Sequence, residues 1–199
     1  PPGYTPESGK KLPLLVLTDG NMAFTVGADA ARALVSSQAI VPIIVASIGT
    51  PPEDGEMAFG RRRVYEFSPP GWDLKDPFGE VVRQACAQVG SAPGRCTGGA
   101  PAFLRVINTE LIPGLVQRFP VDTAQLGLFG VSAGGFFASF VMFQPESRFT
   151  KYIISSPAMA YGGDVIHRIE ADYAKGHKDL AVGIALSAGT LEMNDPFLE

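Results

Sequence analysis

Short runs of consecutive apolar residues alternate along this chain with longer stretches in which apolar side chains return every three or four positions. The runs Leu12 to Leu17, Ile40 to Ala46, Leu126 to Phe129, Tyr152 to Ser155 and Leu180 to Leu186 are rich in Val, Ile and Leu, as expected of strands covered on both faces. Between them, Met22 to Ser36 has helical period, and "APAFLRVINTELIPGLVQRF" places Phe103, Ile107, Leu111 and Leu115 on one helix face. Ala133 to Phe143 is apolar on nearly every side, as expected of a buried helix. Strands separated by helical segments predict an α/β architecture, a mostly parallel sheet with helices on both faces. One segment breaks the pattern: Ser68 to Gly99 mixes Pro, Gly and the single tryptophan, Trp72, without clear period. A loop of that length is uncommon unless it is functional, so residues 68–99 are a candidate lid.

The length of 199 residues, 46% of them hydrophobic, suits one domain over residues 1–199. A net charge of −4 with acids and bases interspersed offers no basic face for nucleic acid, and small neutral or weakly polar partners fit better. No apolar stretch reaches the roughly 18 residues of a membrane span. The opening "PPGYTPESGKK" reads as a loop cut from a longer chain rather than a signal peptide. Cys86 and Cys96 flank a Gly/Pro-containing loop and could equally be a disulfide or two inert thiols; a disulfide favours a periplasm over a cytoplasm. Neither belongs to a CxxC pair or has a histidine nearby, so neither a metal site nor a cofactor is expected. Oligomeric state is not legible.

The stretch "GLFGVSAGG" carries the chemistry. A predicted strand, then G-x-S-x-G, then a predicted helix is the context of a nucleophile elbow. Gly130 and Gly134 permit a sharp turn with Ser132 at its apex, at a helix N-terminus whose dipole and N–H groups favour developing negative charge. The plainer reading is a glycine-rich strand-to-helix turn, and the apolar flanks favour the functional one. Acyl transfer also needs oxyanion donors. The N–H of Ala133, next after the serine, is one candidate; the N–H of Asn21, in the loop "TDGN" after the first strand, is the second. Ser187, in "ALSAG", lacks the first glycine and a following helix, and is discounted.

With these residues in place, "PPGYTPESGKKLPLLVLTDGNMAF", "RRRVYEFSPP", "GGAPAFLRVINTELIPGL", "GLFGVSAGGFFASFVMFQP" and "YIISSPAM" resemble, in order, the esterase branch of the α/β-hydrolases that includes the enterochelin (siderophore) esterases. The resemblance covers Pro1 to about Ala160. It implies the α/β-hydrolase fold, with further elements beyond both ends, and serine hydrolysis of a small-molecule ester such as a siderophore through an acyl-enzyme. It also implies that Arg63, in "RVYEFSP", lies near the substrate. The triad acid of that pattern falls at Glu192, in "TLEMNDP", with Asp195 in reserve. The departure is the base. The only histidines, His167 and His177, precede Glu192, whereas this order of nucleophile, acid and base puts the histidine last. Both read as solvated helix residues, and the expectation is that the base lies outside this sequence. A noncatalytic hydrolase-like binding module is the alternative.

Overall fold

The computed structural model describes residues 4, 9–72, 75, 77–88 and 96–192. Its centre is a five-stranded parallel sheet in the order β2-β1-β3-β4-β5. The strands are β1 (Leu12–Leu17), β2 (Ile44–Ser47), β3 (Val121–Val131), β4 (Lys151–Ser155) and β5 (Gly183–Ser187). The helices are α1 (Gly20–Ser36), α2 (Gly55–Phe67), α3 (Pro77–Gln88), α4 (Ala100–Val106), α5 (Ile112–Arg118), α6 (Ala133–Met142) and α7 (Val165–Gly176).

Alternation along the strands divides the helices between the two faces. Leu14 and Val16 of β1, Leu126 and Leu128 of β3, and Tyr152 and Ile154 of β4 meet Phe136, Phe137, Phe140 and Val141 of α6 in one core. Leu17 points to the opposite face, where α1 crosses so closely that a Cβ on Gly27 would stand 2.6 Å from a Leu17 methyl. This is the α/β-hydrolase arrangement the sequence predicts. After β1 the chain turns outward to β2, and after β3 it turns the other way to β4. The boundary between β1 and β3 is therefore a topological switch point, the place where open α/β sheets bind ligands beyond the carboxyl ends of their strands.

Four local features differ from the sequence reading. β3 begins at Val121 rather than Leu126, and its register with β1 jumps between the pairs Leu12–Val121 and Leu14–Leu126. The polar residues inside that irregularity bond locally: Ala124 N–H donates to Asp122 Oδ1 at 3.0 Å. β2 begins at Ile44 rather than Ile40, because Pro42 lacks the N–H a ladder needs. The helix around Pro113 continues through a π-helical turn, Ile107–Leu111, which accommodates a ring that would otherwise strike the preceding turn. Finally, residues 68–99 are not one irregular loop. They contain α3, which buries Val82 and Cys86 four residues apart, and Cys86 is bonded to Cys96 with Cα atoms 5.9 Å apart.

Candidate active site

Ser132 sits between the last residue of β3 and the first of α6 with φ 55° and ψ −120°. That combination lies outside the left-handed well, is uncommon for a residue with a side chain and costs on the order of 1–3 kcal/mol, so its surroundings must hold it. They do so through backbone. Ser132 N–H donates to Ser155 O at 3.1 Å, and its own carbonyl accepts from Phe136 N–H at 2.9 Å and Ala158 N–H at 3.2 Å. The glycines around it are required by contact. A Cβ on Gly130 would stand 2.7 Å from Gly135 N, and one on Gly134 would stand 3.0 Å from Asp19 Oδ2. The serine side chain is partly exposed at the carboxyl end of the sheet.

The neighbouring loop is built to the same height. Leu17 of β1 pairs with Phe129 of β3, so Asp19 and Val131 each stand two residues further on. Asp19 is nine-tenths buried and left-handed, at φ 55° and ψ 44°. Asp tolerates that conformation better than most side chains. Three contacts then fix the start of α1. Gly20 N–H donates to Ile48 O at 2.7 Å. The Asn21 carboxamide donates from Nδ2 to Thr50 O and accepts from Thr50 N–H, both at 2.7 Å. The Asp19 carboxylate takes two bonds from Arg63 of α2, from Nε at 2.8 Å and Nη2 at 3.1 Å. The side chain of Asn21 is thus committed to Thr50, while its N–H and that of Ala133 each belong to the first turn of a helix, where backbone donors have no intrahelical partner.

Arg63 lies beside the turn after β3, with its fork engaged by Asp19 rather than open to solvent. Nη2 also approaches Val131 O at 3.5 Å, and the guanidinium lies 5.9 Å from the centre of the Phe67 ring. Glu192 follows β5, and its Oε1 accepts from Ser156 Oγ at 2.8 Å. Ser156 directly follows Ser155, whose carbonyl holds the Ser132 N–H. Glu192 is therefore tied to the loop beside the elbow, whereas Asp195 falls outside the described residues. Ser187, the discounted serine, donates to Ser155 Oγ at 3.0 Å from within β5.

The histidines lie elsewhere. His167 is exposed on α7, 3.6 Å from Asp164. His177 stacks on Tyr173 at 3.9 Å, with Nδ1 2.9 Å from Tyr173 O. It lines a cavity of about 720 Å³ with Phe140, Phe143, Thr150 and Val182, at the amino ends of β4 and β5. The ten residues of α6 separate that end from Ser132 by roughly 15 Å.

The ends of the 68–99 segment are clamped together. Ser68 Oγ accepts from Gly98 N–H at 2.7 Å, and Ser68 O accepts from Ala100 N–H at 3.1 Å. Trp72, near the start of this excursion, meets Phe136 of α6 at 5.9 Å and stacks on Tyr161 at 6.0 Å. Of the residues that build this region, sequence reasoning missed Asp19 and Ser156. An Asp-Gly pair directly after a strand was the available signal for the first; nothing local marks the second. Among the described residues no cluster of His, Cys, Asp and Glu could hold a metal ion.

Comparison with known proteins identifies the family. No family model matches the chain. The siderophore triacetylfusarinine C esterase of Aspergillus fumigatus is 33% identical over 191 residues, covering 93% of this chain and 58% of that protein. The siderophore enterobactin esterase of Emericella nidulans is 32% identical over 156 residues, covering 76% of this chain and 48% of that protein. The siderophore hydrolase EstA from Aspergillus nidulans superposes with a TM-score of 0.75 at 28% identity, over 94% of this chain and 60% of that one. The chain spans about half the length of the curated relatives it matches. It is a homologue of siderophore esterases and carries their α/β-hydrolase fold.

Proposed function

We propose that this chain carries the nucleophile of a serine ester hydrolase that acts on a siderophore or a similar small-molecule ester. The observation that carries the reading is the strained turn at Ser132, held by backbone contacts at the switch point of the sheet. Homology to proteins named as siderophore esterases supplies the substrate class.

In this reading Ser132 Oγ attacks the ester carbonyl carbon as its proton passes to a general base. The carbonyl oxygen becomes an oxyanion and accepts from the N–H groups of Ala133 and Asn21, at the first turns of α6 and α1, where the helix dipoles also favour negative charge. Collapse of the tetrahedral intermediate breaks the bond to the alcohol, which leaves with the proton from the base. Water then hydrolyses the acyl-serine by the same steps. Glu192 is the carboxylate that orients the base and stabilises its charged form. The base is a histidine from outside these 199 residues, since His177 faces the other end of the sheet and His167 pairs with Asp164. Residues 68–99 border the substrate, and the anchoring of Trp72 on Phe136, close along α6 to the nucleophile, supports that placement. The same position of the histidines favours a second reading, a binding module that keeps the pocket without the base.

A fluorophosphonate probe separates the two. Labelling of the full-length protein, lost in Ser132→Ala, is the expected result. No labelling, with ester hydrolysis also absent, would leave the binding module as the better account.

A further inference from the structure

The loop after β2 lies directly against the start of α1. We infer that the Asn21 side chain is a positioning group: by bridging both backbone polar atoms of Thr50, it sets the direction of its own N–H, the proposed second oxyanion donor. The inference rests on the reading of Ser132 as nucleophile.

Four observations carry it. First, the Asn21 N–H stands between two that are committed: Gly20 N–H donates to Ile48 O at 2.7 Å and Met22 N–H to Asp19 O at 2.9 Å, while among the described residues no backbone oxygen takes the N–H between them. A donor kept for an oxyanion must be unpaired and still aimed. Second, the carboxamide supplies the aim. Nδ2 donates to Thr50 O and Oδ1 accepts from Thr50 N–H, each at 2.7 Å, so one planar group closes on the donor and the acceptor of a single residue. Two bonds fix orientation as well as distance, and only an amide offers a donor and an acceptor side by side in this way. Third, the far side of the bridge is stiff. Thr50 precedes Pro51 and Pro52, whose rings fix φ and restrict the residue before them, and Ile48 N–H ties the loop back to Leu17 O of β1 at 2.9 Å. Fourth, the packing leaves no slack: a Cβ on Gly49 would stand 2.7 Å from Asn21 Oδ1 and 3.3 Å from Asn21 N.

Asn21 is nevertheless exposed. Water satisfies an exposed carboxamide as readily as Thr50 does, so the bridge contributes little to folding and its effect is on where the N–H points. Misplacement of a catalytic group by about 1 Å can cost on the order of a hundredfold in rate. The transition state alone contains the full oxyanion, so the loss belongs in kcat rather than KM.

The test uses the full-length protein with Asn21→Ala, Asn21→Asp, Gly49→Ala and the double variant Asn21→Ala/Gly49→Ala. Steady-state hydrolysis of a siderophore ester is measured across pH, together with the rate of fluorophosphonate labelling and a thermal melt. Asn21→Ala keeps the N–H and loses the bridge; its kcat should fall about 10- to 100-fold, with KM within about twofold and labelling slowed in parallel. Gly49→Ala presses on Oδ1 from the other side and should lower kcat about 3- to 10-fold. In the double variant that methyl has no carboxamide to displace, so it should match Asn21→Ala. Asn21→Asp gives the sharpest readout, and stands in for Asn21→Ala if that variant fails to fold. Ionised, its carboxylate has no hydrogen for Thr50 O; protonated, it offers one O–H and one carbonyl oxygen, the same pair as the amide. Its kcat relative to wild type should therefore be low at neutral pH and climb as pH falls toward the carboxyl range, about 4 to 5. Asp19, Arg62, Arg63 and Glu66 line the hollow beside Gly49 and Thr50 and are present in every variant, so the Asn21→Ala ratio, expected to stay flat with pH, is the control. A raised KM with kcat preserved would overturn the inference in favour of direct contact between Asn21 and substrate. So would unchanged kinetics, an Asn21→Asp ratio that does not climb, or losses that only follow the fraction folded. Absence of labelling in wild type would remove the Ser132 reading and the inference with it, whereas wild-type and Asn21→Ala proteins that label equally fast would remove the inference alone.

Discussion

Within the described residues, the strand on one side of β4 is buried and cross-braced, while β5 on the other side is exposed. Leu126 and Leu128 of β3 are fully buried beneath α6, and the turn that follows them is held by backbone bonds from β4 and by the packing of three glycines. In β5 every residue is exposed, with Ile184 at 50% and Leu186 at 69%. The proposed nucleophile rides on the first kind of structure and the proposed acid follows the second. A residue with φ 55° and ψ −120° persists only where many contacts over-determine it, and the β1–β3–β4 region provides them. Among the described residues, Glu192 is held by a bond that its Oε1 accepts from Ser156 Oγ at 2.8 Å and one that its N–H donates to Gly189 O at 3.1 Å.

The sharpest way to break this contrast is to add one methyl group on each side. Gly130→Ala would set a Cβ 2.7 Å from Gly135 N, against backbone that cannot step aside. A loss above about 4 kcal/mol, or failure to fold, is expected. Gly183→Ala in β5 would meet nothing nearer than Lys151 Cγ at 3.7 Å and should stay within about 0.5 kcal/mol of wild type in urea denaturation. Comparable losses at both positions would show that β5 is as constrained as the elbow.

Side-chain truncation repeats the comparison at lower amplitude. Leu128→Ala, in the sealed core, should lose about 2–5 kcal/mol, the range for a cavity left in close-packed surroundings. Leu186→Ala should lose less than about 1 kcal/mol, since its side chain is already mostly in water. The same urea midpoints decide the matter.

A smaller effect isolates the strain itself. Ser132→Gly and Ser132→Ala both remove the hydroxyl and should both abolish hydrolysis. Glycine, however, adopts φ 55° and ψ −120° without a Cβ penalty. Relief of about 1–3 kcal/mol of strain, set against an entropy cost of about 0.5–1 kcal/mol, leaves the glycine variant about 1 kcal/mol more stable than the alanine one. Identical midpoints would show the turn to be relaxed.

What the sequence disclosed follows the same division. The elbow was legible because its signal is local: strand, glycine, serine, glycine and helix lie within one short stretch, and each has its own steric reason. The core was legible for a related cause, since Leu14, Val16, Leu126 and Leu128 announce themselves by composition. Long-range pairing was not. Arg63 and Asp19 are 44 residues apart, and nothing near either names the other; the resemblance pointed to Arg63 but left its partner unknown. Ser156 bonds to Glu192 across 36 residues for the same reason. α3 was missed because Pro and Gly around it mask a helical repeat whose buried members include only Val82 and Cys86 among the described side chains. The outer strands were drawn too early because Pro42 and the start of β5 at Gly183 limit pairing in ways that apolar composition does not register.

The smallest predicted effect tests the charge balance on the braced side. Glu66 of α2 lines a hollow of about 120 Å³ with Asp19, Arg63 and Phe67. Burial raises its pKa above the ordinary 4.5, and the nearby charge of Arg62 only partly offsets this. Since the folded pKa lies above the unfolded one, the unfolded chain gives up this proton first as pH rises. Ionisation of Glu66 therefore opposes folding, with a penalty absent well below 4.5, growing as pH passes upward through that value and constant above the folded pKa. Glu66→Gln removes the titrating proton while keeping the shape. The variant should be slightly more stable than wild type near neutral pH, and the difference should close as the solution is made acidic. Urea midpoints of the two proteins across that range provide the check. A glutamine variant less stable than wild type at neutral pH would mean that attraction to Arg62 outweighs desolvation, and that the braced side gains from this charge.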